Sequence, residues 1–552
     1  MALILARVTC RGQIGLHAPL VHVEVSVGAG LPAFCIVGLP ATVVKESKER
    51  VRAALVHSNF DFPAGRITVN LAPADLPKEG GRFDLPIALG ILIASGQIHP
   101  ATAIESTHEF YGELGLSGEL LPTRGLLLAA AHASRHGHEI LVPCANAHEA
   151  LVVARSPVRA ANHLLEVCGH LEGKMPLQRL MPAAPGCTLP ADSLTPGAGH
   201  VRSLLEHALA RTRLDLRDIR GQAHAKRALV IAAAGLHSLL LIGPPGSGKS
   251  MLAQRLPGLL PPLTELEALE AASIASVSAA GFNASQFGQR PFRSPHHSAS
   301  GAALVGGGPR AKPGEVSLAH HGILFLDELP EFERRVLESL REPLEAGVVS
   351  VSRAALQAQY PAAFQLIAAM NPCPCGYQGD PSANCNCTPA EVQRYRSKIS
   401  GPLLDRIDMH VEMPHVDVRE FDDAAERGES SSAAAVRIIH ARRVQVERQG
   451  ICNARLSVAQ VERWCRLDGA GRNVLERAIK SFGLSARSRG RLLKLARTIA
   501  DLDGAETISD SHVSQAVMLR CLDRKAVPGA AELSSSTAAS APSVSYLANP
   551  TI

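Results

Sequence analysis

The octapeptide GPPGSGKS, residues Gly243 to Ser250, has the spacing G-x-x-x-x-G-K-[ST] of a loop that cradles phosphate. Gly243, Pro244, Pro245, Gly246, Ser247 and Gly248 form the cradle, in which the glycines let successive backbone N–H groups turn toward an anion. The helix N-terminus that follows adds its positive end, Lys249 reaches the terminal phosphates, and the Ser250 hydroxyl can ligate magnesium. The context fits, because an apolar run ends at Ile242 and the helix-like MLAQRL follows. A second apolar run, GILFLDEL, ends in adjacent carboxylates. Asp327 can hold the magnesium through water while Glu328 polarises the attacking water, so the two acids divide metal binding from general-base work. In LIAAMNPC, Asn371 ends another apolar run, where its amide can sense the γ-phosphate or orient the water. ATP and Mg²⁺ are the cofactors this set implies.

Two arginine-bearing stretches and one cysteine cluster add further chemistry. Arg406, in GPLLDRIDMHVEM, precedes a strand-like segment, where a fixed guanidinium can reach a neighbouring subunit's γ-phosphate; a surface salt bridge with Asp405 or Asp408 explains it as well. GLSARSRGRLLKLARTIADL places Arg487, Arg491 and Lys494 on one helical face and Leu492, Leu493, Ala496 and Ile499 toward the other, a pattern that suits phosphate or water equally. In CPCGYQGDPSANCNC, Cys373, Cys375, Cys385 and Cys387 form two C-x-C pairs across a turn-rich loop. Four thiolates so placed can close a tetrahedral structural zinc site; reduced loop cysteines or a redox-switched pair are the alternatives.

These residues must be positioned by a chain of 552 residues, 46% hydrophobic and 19% charged, which is enough for two to four domains of ordinary globular composition. Residues 1–172 mix alternating strands (LVHVEVSV, FCIVGL, RITVNLAP) with helix-like runs (VVKESKERVRAALVHS, LPIALGILIASG) and read as an α/β domain. Residues 173–199, rich in Pro, Gly and small side chains, read as a linker; 200–415 carry the nucleotide motifs; 416–527 turn helical and form a lid; 528–552 cannot bury a core and are expected to be disordered. No run approaches the roughly 20 apolar residues that span a bilayer. With no signal-like N-terminus, a cytoplasmic protein with reduced cysteines and no membrane partner is expected. The net charge of +5 decides little. Aromatic residues at 3% disfavour a base-stacking platform, so any nucleic acid would be held through its backbone. KESKERVRAALVHS and RIIHARRVQVERQ are basic helical stretches that could supply such contacts, or be solvated faces.

Taken together, the motifs resemble those of AAA+ ATPases of the magnesium-chelatase, helix-2-insert branch. SPHHSASGAALVGGGPRAKPGEVSLAHHGILFLDELPEF, LREPLEAG and AAMNPCPCG are similar to the ComM family of YifB-type proteins, over about residues 4–525. The resemblance implies a multidomain α/β fold: a Lon-protease-like α+β N-terminal domain, a P-loop AAA+ core and a C-terminal helical lid. It makes Gly243–Ser250 the Walker A loop, Asp327 and Glu328 Walker B, Asn371 sensor 1, Arg406 the arginine finger and Arg487 sensor 2, with Arg489 competing for that last role. Phe292 to Gly314 would include the insertion that faces the pore of a ring, and His296 and His297, with no acid or cysteine partner at a telling spacing, fit a structural or pore-loop role.

In the Lon-like part, Arg82, Phe83 and Asp84 stand where the nucleophilic serine belongs and Leu127 where the lysine belongs. Leucine can neither transfer a proton nor carry charge, so proteolysis is not expected, and Lys78 and Ser95 lie away from the matching places. The implied activity is that of a homohexameric ATP-driven helicase that binds single-stranded and branched DNA and promotes branch migration during homologous recombination and natural transformation. The alternatives are an ATPase subunit of a magnesium chelatase-type metal-insertion complex, disfavoured by the Lon-like domain and the C-x-C cluster, and a nucleotide-binding scaffold without turnover, disfavoured by the intact Asp327 and Glu328.

Overall fold

The computed structural model describes residues 5–38, 42–76, 78, 80–180, 214–283, 286–308, 312–353, 356–380, 384–415 and 428–523. Residues 181–213 of the expected linker and core start, the first lid residues 416–427 and the tail 528–552 lie outside the described residues.

Period-2 patterning in the first 72 residues builds one sheet. Leu5–Arg11, Leu20–Gly28 and Arg66–Ala72 pair antiparallel in that order, and Ala33–Val37 joins the last of them in parallel. Val21, Val23 and Val25 point inward beneath the helix Asp84–Ala94, which is apolar all round and accordingly buried. A second sheet runs Arg179–Leu180, Val158–Ala161, Glu139–Pro143, His108–Phe110. Its edge strand Arg179–Leu180 is antiparallel to Val158–Ala161, which corrects the linker expected from residue 173: backbone pairing keeps residues up to 180 on this unit. Both sheets share one hydrophobic core.

A parallel five-stranded sheet carries the nucleotide motifs, in the order Phe292–Arg293, Ile323–Leu326, Gln365–Met370, Leu239–Ile242, Met409–Glu412. Alternation sorts its side chains between two cores. Leu239, Leu241, Ile323, Phe325, Ile367 and Ala369 pack against the helix Ala223–Gly235 and the C-terminal helices. Leu240, Ile242, Leu324, Leu326, Leu366 and Ala368 pack on the other face, against Leu304, Val316 and Leu340 and beneath the hairpin Val348–Arg353/Leu356–Pro361.

The C-terminal segment forms the helices Ser431–Gln449, Val458–Trp464, Gly469–Phe482, Ala486–Leu502 and Asp510–Met518, and no described helix is long and apolar enough to cross a membrane. These helices share the core behind the ATPase sheet. Arg442 Nε and Gln445 Nε2 donate to the carbonyls of Ala233 (2.8 Å) and Ala234 (3.2 Å) at the end of Ala223–Gly235.

The helix Glu265–Val277 ties the N-terminal unit to the sheet. Ser276 Oγ donates to Glu149 Oε1 at 2.6 Å, and a turn and a half earlier Glu270 meets His320 and His321 just before the strand Ile323–Leu326. The Ala363 N–H donates to His320 Nδ1 (3.0 Å), so the proton of this imidazole sits on Nε2, facing Glu270. With that tautomer Nε2 has no lone pair for a cation, and the cluster is a hydrogen-bonded brace. Burial, reinforced by the charge of His321, holds His320 down at about 4, so it stays neutral.

Candidate nucleotide site

The parallel sheet brings the separate motifs to one end, because each follows the C-terminal end of a strand. Gly246 and Gly248 take φ values of +81° and +89°, which side chains rarely adopt, and let the loop wrap between Ile242 and the helix Lys249–Ala253. Lys249 is buried, and its Nζ donates to the carbonyls of Gly243 (2.7 Å) and Pro244 (2.8 Å) and to Asn371 Oδ1 (3.3 Å). Burial pushes the ammonium's pKa down while the carboxylates of Asp327 and Glu328 raise it. Ser250 Oγ donates to Asp327 Oδ2 at 2.5 Å, so the two expected magnesium ligands already converge. Glu328 adopts a left-handed backbone (φ +50°), a strained choice for a side-chain-bearing residue, and its own N–H donates to Asp327 Oδ1 at 2.9 Å.

Sequence reasoning found no acid partner for His297. The structure corrects this: His297 Nδ1 lies 3.0 Å from Glu328 Oε2. The two are far apart in the chain and meet because Phe292–Arg293 runs alongside Ile323–Leu326, with Phe292 opposite Ile323.

Arg406 belongs to the other end of the sheet. Met409 pairs with Leu239 and Glu412 with Ile242, so Arg406, before Met409, leaves the sheet at the edge opposite Gly243–Ser250. Its partner is neither Asp405 nor Asp408: Nη2 lies 2.5 Å from Glu345 Oε1 and Nη1 donates to Pro402 O at 2.6 Å. The Arg406 hydrogen bond, with further help from the charge of Arg487, holds the Glu345 carboxyl below its usual range. Arg491 is 3.5 Å from Asp408 and Lys494 donates to Ala454 O, whereas Arg487 and Arg489 are exposed. Burial opposes ionisation of Asp408, but the hydrogen bond and charge of His237, together with Arg491 and the Ser238 N–H, outweigh it and bring the carboxyl to about 2.

Beside the phosphate loop lies a cavity of about 880 Å³ lined by Arg217, Arg220, Gln222, Lys226, Val230 and Arg437, a site the motifs did not reveal. Gln222 Nε2 closes one side by donating to Pro414 O at 2.6 Å. The volume and polarity suit the base and sugar of a nucleotide. A glutamine after Gly221 was the available signal, but no spacing linked it to the loop.

The cysteines converge, with Sγ separations of 3.3 Å (Cys373–Cys375), 3.7 Å (Cys373–Cys385) and 3.5 Å (Cys375–Cys385), and the Cys387 sulfur also lies within 4.8 Å of the other three. The Tyr377 N–H, joined by the Cys373 thiol, draws Cys375 down to about 6, whereas Cys385 is raised and Cys387 is pushed up to about 12. This knuckle lies close to the phosphate loop, with room only for glycine: a Cβ at Gly376 would stand 2.8 Å from Pro245 Cδ.

At the places of the expected protease dyad the polar groups are held structurally. Arg82 Nη2 donates to Gln13 Oε1 (2.8 Å) and to Arg124 O, Asp84 accepts from Arg50 Nε and Nη2 (2.7 and 3.2 Å), and the Leu127 N–H donates to Glu149 (3.1 Å). Lys78 bonds Pro73 O, and Ser95 donates to Leu92 O at 3.2 Å.

Several cations of the two basic stretches have carboxylate partners. Arg437 pairs with Glu429, Arg443 with Glu447 (2.7 Å) and Arg448 with Asp501 (2.6 Å). In the helix Thr42–His57, Arg50 pairs with Asp84 and Arg52 lies 5.2 Å over the Phe62 ring.

Comparison with known proteins agrees with this geometry. Residues 215–421 match the family described as magnesium chelatase, subunit ChlI; residues 23–146 match subunit ChlI of Mg-chelatase; residues 428–520 match the ChlI C-terminal family. The chain is 48% identical to the uncharacterized protein YifB of Salmonella typhimurium and 46% identical to the competence protein ComM of Haemophilus influenzae, each over 94% of this chain and 98% of the relative. It is 26% identical to the magnesium-chelatase 38 kDa subunit of Rhodobacter capsulatus, over 53% of this chain and 83% of that one. With a P-loop parallel sheet, a full-length match to ComM and YifB and three ChlI-type segments, the chain belongs to the ComM/YifB family of magnesium-chelatase-type AAA+ proteins.

Proposed function

We propose that the protein is an ATP-hydrolysing DNA motor, a homohexameric ring that drives branch migration in recombination and natural transformation. The observation that carries the ATPase half is the convergence of Lys249, Ser250, Asp327, Glu328 and Asn371 at one end of the sheet. Asp327 and Ser250 hold Mg²⁺ with ATP, Glu328 is the general base, Asn371 orients the γ-phosphate or water, and Arg406 and the exposed Arg487 serve the neighbouring subunit's nucleotide. The full-length likeness to a competence protein supports DNA as the track. The N-terminal unit is a Lon-like fold whose catalytic places are taken by Leu127, by the Arg50–Asp84 ion pair and by Arg82 bonded to Gln13 and Arg124 O, and it acts as a scaffold.

With Arg50, Arg437, Arg443 and Arg448 paired to carboxylates, DNA contact is assigned to the insertion around Lys312, in a cytoplasmic ring whose low aromatic content favours backbone contact. A synthetic branched junction incubated with protein, ATP and Mg²⁺ should release strands faster than with Lys249→Ala. Binding should weaken steeply with salt, each phosphate contact adding about 0.7 to 0.9 to the log–log slope. Lys312→Ala should lower low-salt affinity and Arg443→Ala should not, since Glu447 already takes that charge. If the wild type neither binds the junction nor outpaces Lys249→Ala, the motor reading fails; stimulation by a porphyrin and partner subunits instead would select a metal-insertion ATPase.

The four cysteines are assigned to one structural Zn²⁺. Metal analysis should find one zinc per chain, lost in Cys373→Ser and Cys385→Ser. Because Gly376 abuts Pro245, ATP affinity should fall with it. Zinc-free protein with four freely titrating thiols and full ATP affinity would remove the site.

A further inference from the structure

Three parts of the ATPase meet at one buried histidine that no motif marks. His237 precedes the strand Leu239–Ile242, which leads to the phosphate loop, and none of its surface is exposed. Its backbone is fixed on both sides: the N–H donates to Ala232 O (3.0 Å) and the carbonyl accepts from Gln365 Nε2 (2.9 Å). Its ring reaches in two directions. Nδ1 lies 3.3 Å from Asp408 Oδ2, in the segment that carries Arg406, and Nε2 lies 2.8 Å from Thr498 Oγ1, in the lid helix Ala486–Leu502. Asp408, held at about 2, is ionised and only accepts, so a ring proton sits on Nδ1. Gly235 leaves the room for this contact, since a Cβ there would stand 2.6 Å from Thr498 Oγ1 and closer still to His237 Nε2. The backbone around Arg406 is tied to the same strand start: Ser238 Oγ donates to Arg406 O (3.1 Å) and accepts from the Asp408 N–H (2.8 Å). On the lid side, Asn453 Nδ2 donates to Thr498 Oγ1 (3.0 Å) and to Asp501 (2.8 Å), the carboxylate that Arg448 and Arg497 share.

We propose that His237 is a positioning residue for Arg406: held by Asp408 on one side and Thr498 on the other, it makes the position of the lid set where the guanidinium stands at the neighbouring subunit's nucleotide. This rests on Arg406 acting in trans. Leaving one member of a buried polar network without its partner costs more than the bond itself contributes, so the lid helix and the Arg406 segment shift together rather than separately. Glu345 fixes the guanidinium, whereas His237 fixes the backbone from which it springs.

ATP turnover and ATP retention are measured for three variants. His237→Gln keeps an amide near Nε2 but does not reach Asp408, Thr498→Val removes the hydroxyl at nearly constant volume, and Thr498→Ser keeps it. The first two should lower kcat about tenfold, the effect of one lost buried hydrogen bond, with KM and ATP retention unchanged, and Thr498→Ser should match the wild type. Mixed rings then identify the site that suffers. His237→Gln subunits have intact phosphate loops, so mixing them with Lys249→Ala subunits, whose Arg406 is correctly held, should raise turnover above either parent. Mixing them with Arg406→Ala subunits should not, because neither copy presents a well-placed guanidinium. Thr498→Val, taken through the same mixes, should give the same pattern from the lid side. A defect passed along Leu239–Ile242 to the subunit's own phosphate loop gives the reverse, restoration with Arg406→Ala and none with Lys249→Ala, and overturns the proposal, as does wild-type turnover by His237→Gln and Thr498→Val. If Arg406→Ala and Lys249→Ala do not complement each other, the trans reading of Arg406 falls and this role with it; if they do and His237→Gln with Lys249→Ala does not, the role of His237 alone falls.

Discussion

Glu328→Gln is expected to bind ATP as tightly as the wild type and to hydrolyse it about 10² to 10⁴ times more slowly. The side chain leaves the nucleotide-contacting residues untouched: Lys249 is anchored by Gly243, Pro244 and Asn371, and Asp327 by Ser250, none of which needs the Glu328 carboxylate. Glutamine retains size and polarity but cannot accept the proton of the attacking water. Lys249→Ala should fail one step earlier. It removes the ammonium proposed to reach the phosphates and leaves the Asn371 amide and two loop carbonyls without their donor, so ATP retention itself should be lost. Nucleotide retention on a filter and phosphate release, measured on both variants, separate the two steps. Wild-type turnover by Glu328→Gln would assign water activation to another residue, and ATP retention by Lys249→Ala would show that the loop backbone alone suffices.

The difference between what sequence disclosed and what it concealed follows from distance along the chain. Gly243–Ser250 is legible because its chemistry is contiguous: glycines, lysine and serine act within one turn of loop and helix. Asp327 and Asn371 are legible as polar residues that end apolar runs once the phosphate loop is read, and the parallel order of Ile323–Leu326, Gln365–Met370 and Leu239–Ile242 then brings those ends together. The contacts of His297 with Glu328 and of Arg406 with Glu345 were hidden, since each depends on which strands are neighbours and on the fold of the segments between. The basic helices stayed open between phosphate contact and a solvated face for a related reason. Arg437, Arg443 and Arg448 look like a phosphate-binding stripe until Glu429, Glu447 and Asp501 are placed beside them. The hairpin strands Val348–Arg353 and Leu356–Pro361 carry a period-2 signal, since Val349, Val351, Ala358 and Tyr360 alternate inward. The cysteine spacing announced a cluster, yet its approach to Pro245 is through space and leaves no mark on the spacing.

Arg406→Ala should reduce ATP turnover by about 10³ to 10⁵, the range for a guanidinium that neutralises charge developing on the transferred phosphoryl group, with ATP binding little changed. Arg406 cannot serve the phosphate loop of its own subunit. It lies beyond the N-terminal end of Met409–Glu412, while the loop follows the C-terminal end of the paired strand Leu239–Ile242, four residues or roughly 13 Å further along the sheet. Glu345 and Pro402 also hold the guanidinium at that edge, with Arg487 nearby at the same carboxylate. A cation fixed opposite its own nucleotide completes a site only when a second copy presents a phosphate loop to that face, and this is what a ring supplies. Mixing Arg406→Ala with Lys249→Ala subunits should then restore activity that neither has alone, wherever an intact Arg406 faces an intact loop. Glu345→Gln should cost far less, since it loosens the guanidinium without removing it. Mixed rings, verified by differential tagging, that show no turnover above either parent would place Arg406 outside the neighbour's site and leave its bond to Glu345 as a brace of the fold.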